Sequence, residues 1–446
     1  MEFNGKALLK DLEWRGLLGA TSGPIEEMLN AQTTFYVGTD PTSIPDDALN
    51  PNHPEITTSL HVGHMLAIVT AKRLQLWGHK PIILIGQTTA AIGDAAGRTT
   101  ERELIPFERI SQNAECLKKQ ISRLMDFESD TPNKAIMVNN YDWMSNLSLV
   151  EFARTYGKII PVNFMLAKES IKMRLENGHL SLCEMLYSPL QGVDFYHLYK
   201  TYGCTTQIGG MDQIGSMTYG SMLIRKLLGH DKETCTLNWP LITKADGSKF
   251  GKSLGGCVWL DPNLTTPYQF YQFWLNVADD DAKRFIKMFT LLSREEIESL
   301  IEEHEKAPHM RVLQKALAKE VTVMVHSEKD YEIAVEASEV LFGKSTEETL
   351  RKLDDKTILS VFDGVPTFEV EKTWFDEGIK LSELSVERTS TFKSKGDLRK
   401  LIANGGVSIN KSKINEDVFL TSSNLLNNKF LLVQQGKKNY TLIVAR

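Results

Sequence analysis

The fold is decided by the stretch SLHVGHMLAIVTAKRLQLWGHKPIILIG, which occupies Ser59–Gly86. From His64 to Trp77 it carries apolar residues at helical spacing and then meets a glycine, so it predicts a helix. The compact apolar run of Pro81–Gly86 is typical of a buried strand in a parallel sheet. Strands that alternate with helices in this way predict a doubly wound α/β sheet.

Two further strands are predicted in the same sheet. Thr34–Gly38 reads as a short buried strand, and Thr206–Ile208 is a second one that ends in the sequence GGMDQ. Ligands of doubly wound sheets bind at the carboxyl ends of the strands. The residues expected around this crevice are Tyr36, Gly38, Asp40 and Asp94.

Length and composition restrict the class of protein. A chain of 446 residues, 42% hydrophobic and 24% charged, is expected to form about three globular domains. The five cysteines lie far apart without a CxxC pair, which argues against a zinc site or a disulfide framework and favours a reducing compartment. The N-terminus resembles neither a secretory signal nor a transit peptide, so we expect a cytoplasmic protein.

Charge is distributed unevenly along the chain. Residues 391–446 contain ten Lys and Arg against three Asp and Glu, a net charge of +7. Because the whole chain carries −6, the remainder carries −13. A basic end on an acidic body is typical of proteins that bind polyanions, although a basic solvated surface would give the same count.

Two short motifs carry chemistry. His61-Val62-Gly63-His64 stands at the predicted start of a helix, where backbone N–H groups attract phosphate. Alone it is a weak signal, because two histidines near a helix start are more often surface residues or caps. A glycine-studded loop, KADGSKFGKS at 244–253, brings two lysines three residues apart and alone reads as an exposed loop.

In this order, and with the GGMDQ strand end between them, the two motifs are far more specific. The chain resembles the bacterial-type tyrosyl-tRNA synthetases of class I from about Leu12 to its last residue. HVGH resembles the HIGH signature of that class, and KFGKS at 249–253 resembles its KMSKS signature. Further matches are YDW (141–143), VNFMLAKES (162–170), LQGVDF (190–195), QIGGMDQ (207–213) and TPYQFYQFW (266–274).

The resemblance implies a fold and an activity. It implies a Rossmann-like catalytic domain (1–235), a KMSKS-like loop region (236–265), an α-helical domain on the anticodon side (266–345), a linker (346–380) and an S-four-type α+β RNA-binding domain (381–446). The implied reaction activates L-tyrosine with ATP to tyrosyl-adenylate and pyrophosphate, and then transfers the tyrosyl group to the 3′ end of tRNA(Tyr). Magnesium would accompany ATP without a dedicated metal site, and the enzyme would be a homodimer.

The resemblance also assigns residues. Catalysis falls to His61, His64, Lys249 and Lys252. Tyrosine binding falls to Tyr36, Asp94, Tyr187, Gln191, Asp194, Gln207 and Gln213. ATP binding falls to Gly38, Asp40, Thr42, His61, Gly63, His64, Gly210, Asp212, Lys249 and Lys252, with Arg98 and Arg102 able to reach the pyrophosphate. RNA binding falls to Lys395, Arg399 and Lys400 of a basic helix followed by a Gly-Gly turn. Independently of the resemblance, the spacing of Tyr187, Gln191 and Asp194 puts all three on one face of a helix.

Alternatives and departures stay open at this stage. An RNA-binding factor built on a synthetase body would lack catalysis, and the sister tryptophan enzyme should lack the Tyr36–Asp194 pair and the basic tail. About fourteen extra residues within Ser43–Thr58 interrupt the family pattern, as a lid or as decoration. Gln87, Ala95 and Ala96 also replace residues typical of the family.

Overall fold

The computed structural model describes residues 3–42, 56–94, 103–176, 178, 180–243, 245, 250–253, 256–342, 346–436 and 439–446. Lys249, Arg98, Arg102 and most of the Ser43–Thr58 insertion lie outside these residues. The chain divides into two compact units. The first comprises 1–264 and 276–321, and the second comprises 265–275 and 322–446. None of the described helices combines the length and the apolarity that a membrane crossing requires.

The strands of the first unit are β1 (Thr21–Ser22), β2 (Thr34–Thr39), β3 (Lys80–Ile85), β4 (Ile136–Asn139), β5 (Thr206–Gly210), β6 (Cys235–Trp239), β7 (Lys252–Ser253) and β8 (Gly256–Cys257). Those of the second are β9 (Thr367–Val370), β10 (Ile379–Lys380), β11 (Val407–Ile409), β12 (Ser412–Lys413), β13 (Phe419–Leu420), β14 (Phe430–Gln435) and β15 (Asn439–Ala445).

The α-helices that precede strand β6 are α1 (Gly5–Trp14), α2 (Ile25–Met28), α3 (Val62–Leu76), α4 (Gln87–Ile92), α5 (Phe107–Ser122), α6 (Tyr141–Met144), α7 (Leu149–Phe152), α8 (Val162–Leu166), α9 (Glu169–Glu176), α10 (Leu182–Tyr202) and α11 (Ile214–Leu228). They are followed by α12 (Pro267–Leu275), α13 (Asp279–Phe289), α14 (Arg294–Lys306), α15 (Val312–Val325), α16 (Glu328–Phe342), α17 (Glu347–Arg351), α18 (Asp355–Val361), α19 (Thr373–Glu377) and α20 (Lys395–Ala403).

The first unit is built on a six-stranded sheet in the order β1-β6-β5-β2-β3-β4. All neighbours are parallel except the short edge strand β1, which is antiparallel to β6. The chain therefore moves outward from β2 in both directions, which is the doubly wound topology that the sequence predicts. This topology places a crevice where β2 and β5 lie side by side.

Helices α10 and α11 pack closely beside this crevice because small residues stand at their contact. A Cβ atom on Gly192 would lie 2.7 Å from Tyr219 Cβ, and one on Gly220 would lie 2.7 Å from Phe195 Cβ. Both distances are shorter than real contacts allow, so glycine is needed at both positions. The close approach fixes α10, which carries three of the predicted tyrosine-site residues.

The second unit contains a five-stranded sheet in the order β12-β11-β14-β15-β9. Helix α20 packs its apolar face, Leu398 and Ile402, into the core of this unit. The sequence analysis treats 346–380 as a linker, but β9 within it pairs in parallel with β15 and Phe375 is fully buried in the same core. The C-terminal module therefore begins before residue 381, because its sheet needs β9 as an edge strand.

Candidate active site

A cavity of about 470 Å³ opens at the carboxyl ends of β2 and β5 in the first unit. Aspartates stand at several points of its wall, together with phenol, imidazole and amide groups. Its polar lining residues include Tyr36, Asp40, Thr42, His64, Thr89, Asp94, Tyr187, Gln191, Asp194, Asp212 and Gln213. Gly38 and Gly210 also line it, and the backbone is open to the cavity there.

Tyr36 of β2 and Asp194 of α10 mark one end of the cavity. The Tyr36 hydroxyl donates a hydrogen bond of 3.0 Å to Gln207 Oε1, and both side chains are buried. Burial, and next the nearby Asp194 charge, raise the pKa of the Tyr36 phenol well above its usual value. The phenol therefore stays protonated and can both donate and accept hydrogen bonds.

Asp194 is held by two donors from the segment after β4. Asn140 Nδ2 donates to its Oδ2 at 3.1 Å, and Trp143 Nε1 donates to its Oδ1 at 3.0 Å. The Trp143 ring stacks on His197 with centroids 4.2 Å apart. Burial nevertheless raises the pKa of Asp194 to about 8. The structure thus presents a fixed, nearly neutral carboxyl group at the apolar end of the site.

Other residues of the cavity wall carry negative charge. The Tyr187 hydroxyl donates to Asp40 Oδ2 at 2.9 Å, and Thr89 Oγ1 donates to Asp40 Oδ1 at 2.8 Å. Burial, and next the charges of Asp40 and Asp94, raise the pKa of Tyr187 well above its usual value. Gln191 Oε1 is buried and has no hydrogen-bond partner among the described residues. An acceptor between carboxylates suits a bound cation such as an ammonium group.

Gln207 and Gln213, both expected from the sequence to bind tyrosine, differ in their position relative to the cavity. Gln213 lines the cavity, whereas Gln207 lies behind Tyr36 and is not part of the lining. The Gln207 amide accepts from the Tyr36 hydroxyl through Oε1 and donates to the Met217 carbonyl through Nε2 at 3.0 Å. Its contact with the cavity is therefore made through Tyr36.

The HVGH turn is the start of α3. The helix begins at Val62, two residues before the predicted start, and His61 is its N-cap. His61 Nδ1 accepts from the Gly63 N–H at 3.0 Å, and His64 Nδ1 accepts from the His61 N–H at 3.2 Å. The two rings lie 3.9 Å apart. The histidines thus cap their own helix, a role that the sequence analysis gave only as the alternative to phosphate binding.

Burial determines the protonation state of these histidines, and the capping hydrogen bonds determine their tautomer. Burial lowers the pKa of His61 to about 4 and, together with the His61 charge, lowers that of His64 to about 3. Both rings are therefore neutral near pH 7. Because each Nδ1 accepts a hydrogen bond, each ring carries its proton on Nε2. His64 lines the cavity, whereas His61 and Gly63 are not among its lining residues.

The described residues of the KFGKS motif lie next to the HVGH turn. Gly251 has a φ of 93°, and a Cβ atom there would lie 3.4 Å from Val62 Cγ2 and 3.6 Å from the Gly63 nitrogen. The Val62 N–H donates to the Val258 carbonyl at 3.0 Å. Lys252 begins β7, which pairs with β8 in a short hairpin. The backbone that carries Lys252 is therefore anchored beside the HVGH turn.

The predicted RNA-binding residues belong to the second unit. Lys395, Arg399 and Lys400 lie on the exposed face of α20, opposite its buried Leu398. Lys395 forms an ion pair of 2.5 Å with Glu387. The other two side chains leave a basic surface on the helix that faces away from the core of this unit.

Asn140 and Thr89 are site residues that the sequence analysis missed. Asn140 Nδ2 contacts both Asp194 and Thr89 Oγ1, the latter at 3.3 Å, so it lies between the two ends of the cavity. The only sequence signal for Asn140 was its position next to the YDW match. Thr89 gave no signal, because its role depends on the fold bringing α4 against Asp40.

Comparisons with known proteins agree with this geometry. Residues 55–343 match the family described as class I tRNA synthetases (W and Y), and residues 357–443 match the C-terminal domain of tyrosine–tRNA ligases. The chain is 51% identical to a tyrosine–tRNA ligase of Bacteroides thetaiotaomicron and 46% identical to that of Flavobacterium johnsoniae. Each alignment covers 98% of this chain and 99% of the relative.

Solved structures give the same result. The truncated mitochondrial tyrosyl-tRNA synthetase of Aspergillus nidulans is 27% identical, with a TM-score of 0.63 over 76% of this chain and 94% of that chain. The corresponding Coccidioides posadasii structure is 30% identical, with a TM-score of 0.62 over 74% of this chain and 90% of that chain.

The sheet, the HVGH turn and the cavity define a class I aminoacyl-tRNA synthetase. Within that class, the full-length relatives and the C-terminal domain place the chain in the family of tyrosine–tRNA ligases. It is an enzyme that joins tyrosine to tRNA with ATP as the energy source. The expectations for fold class and activity are thereby confirmed, and neither the non-catalytic factor nor the tryptophan enzyme fits these matches.

Proposed function

We propose that the cavity binds L-tyrosine with its phenol between Tyr36 and Asp194 and its ammonium group beside Asp94, Tyr187 and Gln191. The observation that carries this orientation is the buried Gln191 Oε1, which lacks a hydrogen-bond partner in the described protein and belongs to a cavity that Asp40, Asp94 and Asp212 also line. A substrate ammonium would satisfy it. The Tyr36 oxygen can accept one further hydrogen bond and the protonated Asp194 carboxyl group can donate one, and a phenyl ring would supply a partner for neither.

ATP is proposed to bind along the strand ends and the HVGH turn. Gly38, Asp40 and Thr42 would contact it from the end of β2, and Gly210 with Asp212 would contact its ribose from the end of β5. The dipole at the start of α3 is proposed to attract the phosphates, since its first N–H groups already donate: Val62 to the Val258 carbonyl, Gly63 to His61 Nδ1 and His64 to the His61 carbonyl. His61 and His64 would donate to the phosphates through their Nε2–H groups, which the capping bonds leave directed away from the backbone.

The reaction proposed for this site needs no covalent enzyme intermediate. A tyrosine carboxylate oxygen attacks the α-phosphorus of ATP, a P–O bond forms, and the bond to pyrophosphate breaks in line. In the second step a hydroxyl of the terminal ribose of tRNA attacks the acyl carbon, and AMP leaves. Catalysis consists of positioning the substrates and stabilising the developing charge. Lys249 and Lys252 are proposed to stabilise the departing pyrophosphate.

Magnesium is proposed to enter with ATP. Mg²⁺ is commonly held by substrate phosphates with only one or two carboxylates from the protein. Asp40, Asp94 and Asp212 line the cavity and are chemically suited to contact such an ion. The chemistry that Mg²⁺ supplies when bound is neutralisation of phosphate charge.

A homodimer is proposed from an exposed apolar surface. Leu149, Val150, Val162 and Leu182 have 77%, 67%, 60% and 70% of their surface exposed, and they belong to neighbouring stretches between α7 and the start of α10. We propose that these side chains form one surface patch that a second copy covers, because monomeric soluble proteins rarely expose a large contiguous apolar patch. Substitution of Leu149 and Val162 by lysine should give a monomer in analytical ultracentrifugation, and an unchanged mass would contradict the proposal.

The second unit is proposed to bind tRNA(Tyr) through the basic face of α20. Arg399 and Lys400 would contact RNA phosphates, so affinity should fall with salt. The cytoplasmic location stays a prediction of the sequence. The test of the whole proposal is tyrosine-dependent exchange of pyrophosphate into ATP by the pure protein. Its absence would overturn the assignment of substrates to this cavity.

A further inference from the structure

Helix α13 contacts both ends of the lysine-bearing loop. At the start of the loop, Asp281 Oδ1 accepts from the Ala245 N–H at 3.0 Å, and Arg284 donates to the Thr243 carbonyl. Asp281 is 4% exposed, although aspartate in the first turn of a helix is normally solvated. A buried carboxylate that accepts a backbone N–H from another segment fixes that segment.

The other end of the loop rests on the same helix. The Phe250 ring lies 4.8 Å from the Phe285 ring and 5.3 Å from the Phe289 ring, centroid to centroid. Phe285 and Phe289 are fully buried. Because Asp281, Phe285 and Phe289 are spaced by four residues, they lie on one face of α13. This face therefore holds the described backbone on both sides of Lys249.

The carboxyl end of α13 is in turn fixed to the helix that begins with HVGH. Arg73 of α3, which is 4% exposed, donates through Nη2 to the Thr290 carbonyl. Arg15 of α1 donates to the Lys287 carbonyl at 3.1 Å and to the Leu292 carbonyl at 2.9 Å. Asp11 pairs with Arg15 at 2.9 Å. Guanidinium groups at the free carbonyls of a helix end are stabilising.

We propose that α13 is the element that sets the position of the lysine loop relative to the HVGH turn, and that Asp281 is its positioning residue. The inference rests on the function proposed above. The lysines act on charge that develops only in the transition state, so a loop displaced by a fraction of an ångström should slow adenylate formation. None of the residues proposed to bind tyrosine lies on α13 or on the loop, so tyrosine binding should not change.

The experiment compares Asp281→Ala, Asp281→Asn and the control Asp280→Ala. Asp280 lies in the same turn of α13 and carries the same charge at the same helix end, but its side chain is exposed. Asn keeps the oxygen that accepts from Ala245, whereas Ala removes it. The readouts are kcat, KM for tyrosine and KM for ATP in pyrophosphate exchange, with Tm and tyrosine binding measured in parallel.

We expect Asp281→Ala to lower kcat by about tenfold, which is the effect of one hydrogen bond of about 1.4 kcal/mol, with KM for tyrosine within about twofold of wild type. Asp281→Asn should recover most of the rate, and Asp280→Ala should match wild type. The inference is overturned if folded Asp281→Ala has the wild-type kcat, if Asn is no better than Ala, or if tyrosine binding weakens in step with kcat. A wild-type protein without exchange would instead overturn the proposed function.

A second variant covers the case in which Asp281→Ala does not fold. Phe250→Leu removes the ring contacts at the opposite end of the loop and leaves Asp281 in place. It should lower kcat by a similar factor and leave KM for tyrosine unchanged. Wild-type kcat in this variant would contradict the inference.

Discussion

Tyr36 and Asp194 line the same cavity, although Tyr36 lies on the central strand β2 and Asp194 lies on helix α10, more than 150 positions later in the sequence. The Tyr36 ring packs against Phe195, the neighbour of Asp194, with centroids 5.5 Å apart. The two polar groups are therefore held by a shared apolar contact. A ligand that enters between them can form hydrogen bonds with both the Tyr36 hydroxyl and the Asp194 carboxyl group. A polar substituent on the ring of the ligand would therefore be recognised by two groups.

Asp194→Ala should weaken tyrosine binding by about tenfold to a hundredfold, because a hydrogen bond to a charged or acidic group contributes about 1.5–3 kcal/mol. ATP binding should change little, since Asp194 is not among the residues proposed to contact ATP. Equilibrium binding of each substrate measures the two effects separately. Equal loss of both would refute the assignment of Asp194 to the phenol.

The stability of the free protein should reflect the pKa of Asp194. The native carboxyl group keeps its proton up to a pKa of about 8, whereas the unfolded one releases it near the ordinary aspartate pKa of 3.8. The native state therefore binds more protons in between, and this group's contribution to stability falls as pH rises from about 4 to 8. Asp194→Asn should flatten the decline of Tm between pH 6.5 and 8. A decline as steep as that of wild type would contradict the raised pKa.

His61 and His64 should make the protein less stable as the pH falls, whereas Asp194 makes it less stable as the pH rises. Folding lowers the pKa of His61 to about 4 and that of His64 to about 3, whereas unfolded histidine titrates near 6.5. The unfolded state then binds more protons below pH 6.5, so stability is lost as pH falls from 6.5 towards 4. His64→Gln should show a smaller loss of Tm over this range. An equal or larger loss would mean that His64 is not held neutral.

Removal of the C-terminal module should separate the two half-reactions. The core of this module includes Val370 and Phe375, and β9 belongs to its sheet, so the cut belongs at Gly364 and not at the domain boundary of 381 expected from the sequence. The protein without residues 364–446 should retain nearly all tyrosine-dependent exchange, while tRNA charging falls on the order of tenfold or more because phosphate contacts are lost. Collapse of exchange in a folded truncated protein would refute the separation of the two functions.

Local patterns in the sequence predicted the sheet and placed Tyr36, Gly38, Asp40 and Asp94 at its crevice, whereas most other site residues were assigned through the family resemblance. Apolar strands that end in glycine and aspartate, such as Thr34–Thr39, reveal both the element and its functional end. The contacts of Asn140 and Thr89 could not be predicted, since they depend on side chains from distant segments meeting around two aspartates. Strand β9 was missed because it is only four residues long, two of them exposed, and it becomes a strand only by pairing with β15.

The KFGKS motif shows a different limit. Its residue types indicated phosphate chemistry, but nothing in its own sequence indicated where the loop is held. The anchoring groups, Asp281 and Phe285, follow it by more than thirty positions and read as an ordinary amphipathic helix. Only the packing of α13 against the loop relates them to the site.

The central claim is that one cavity selects tyrosine by its hydroxyl and activates it with ATP. Pyrophosphate exchange measured with each of the twenty amino acids tests it most directly. The account predicts strong exchange with tyrosine, far weaker exchange with phenylalanine and none with tryptophan. Exchange with phenylalanine equal to that with tyrosine, or no exchange with any amino acid, would contradict it.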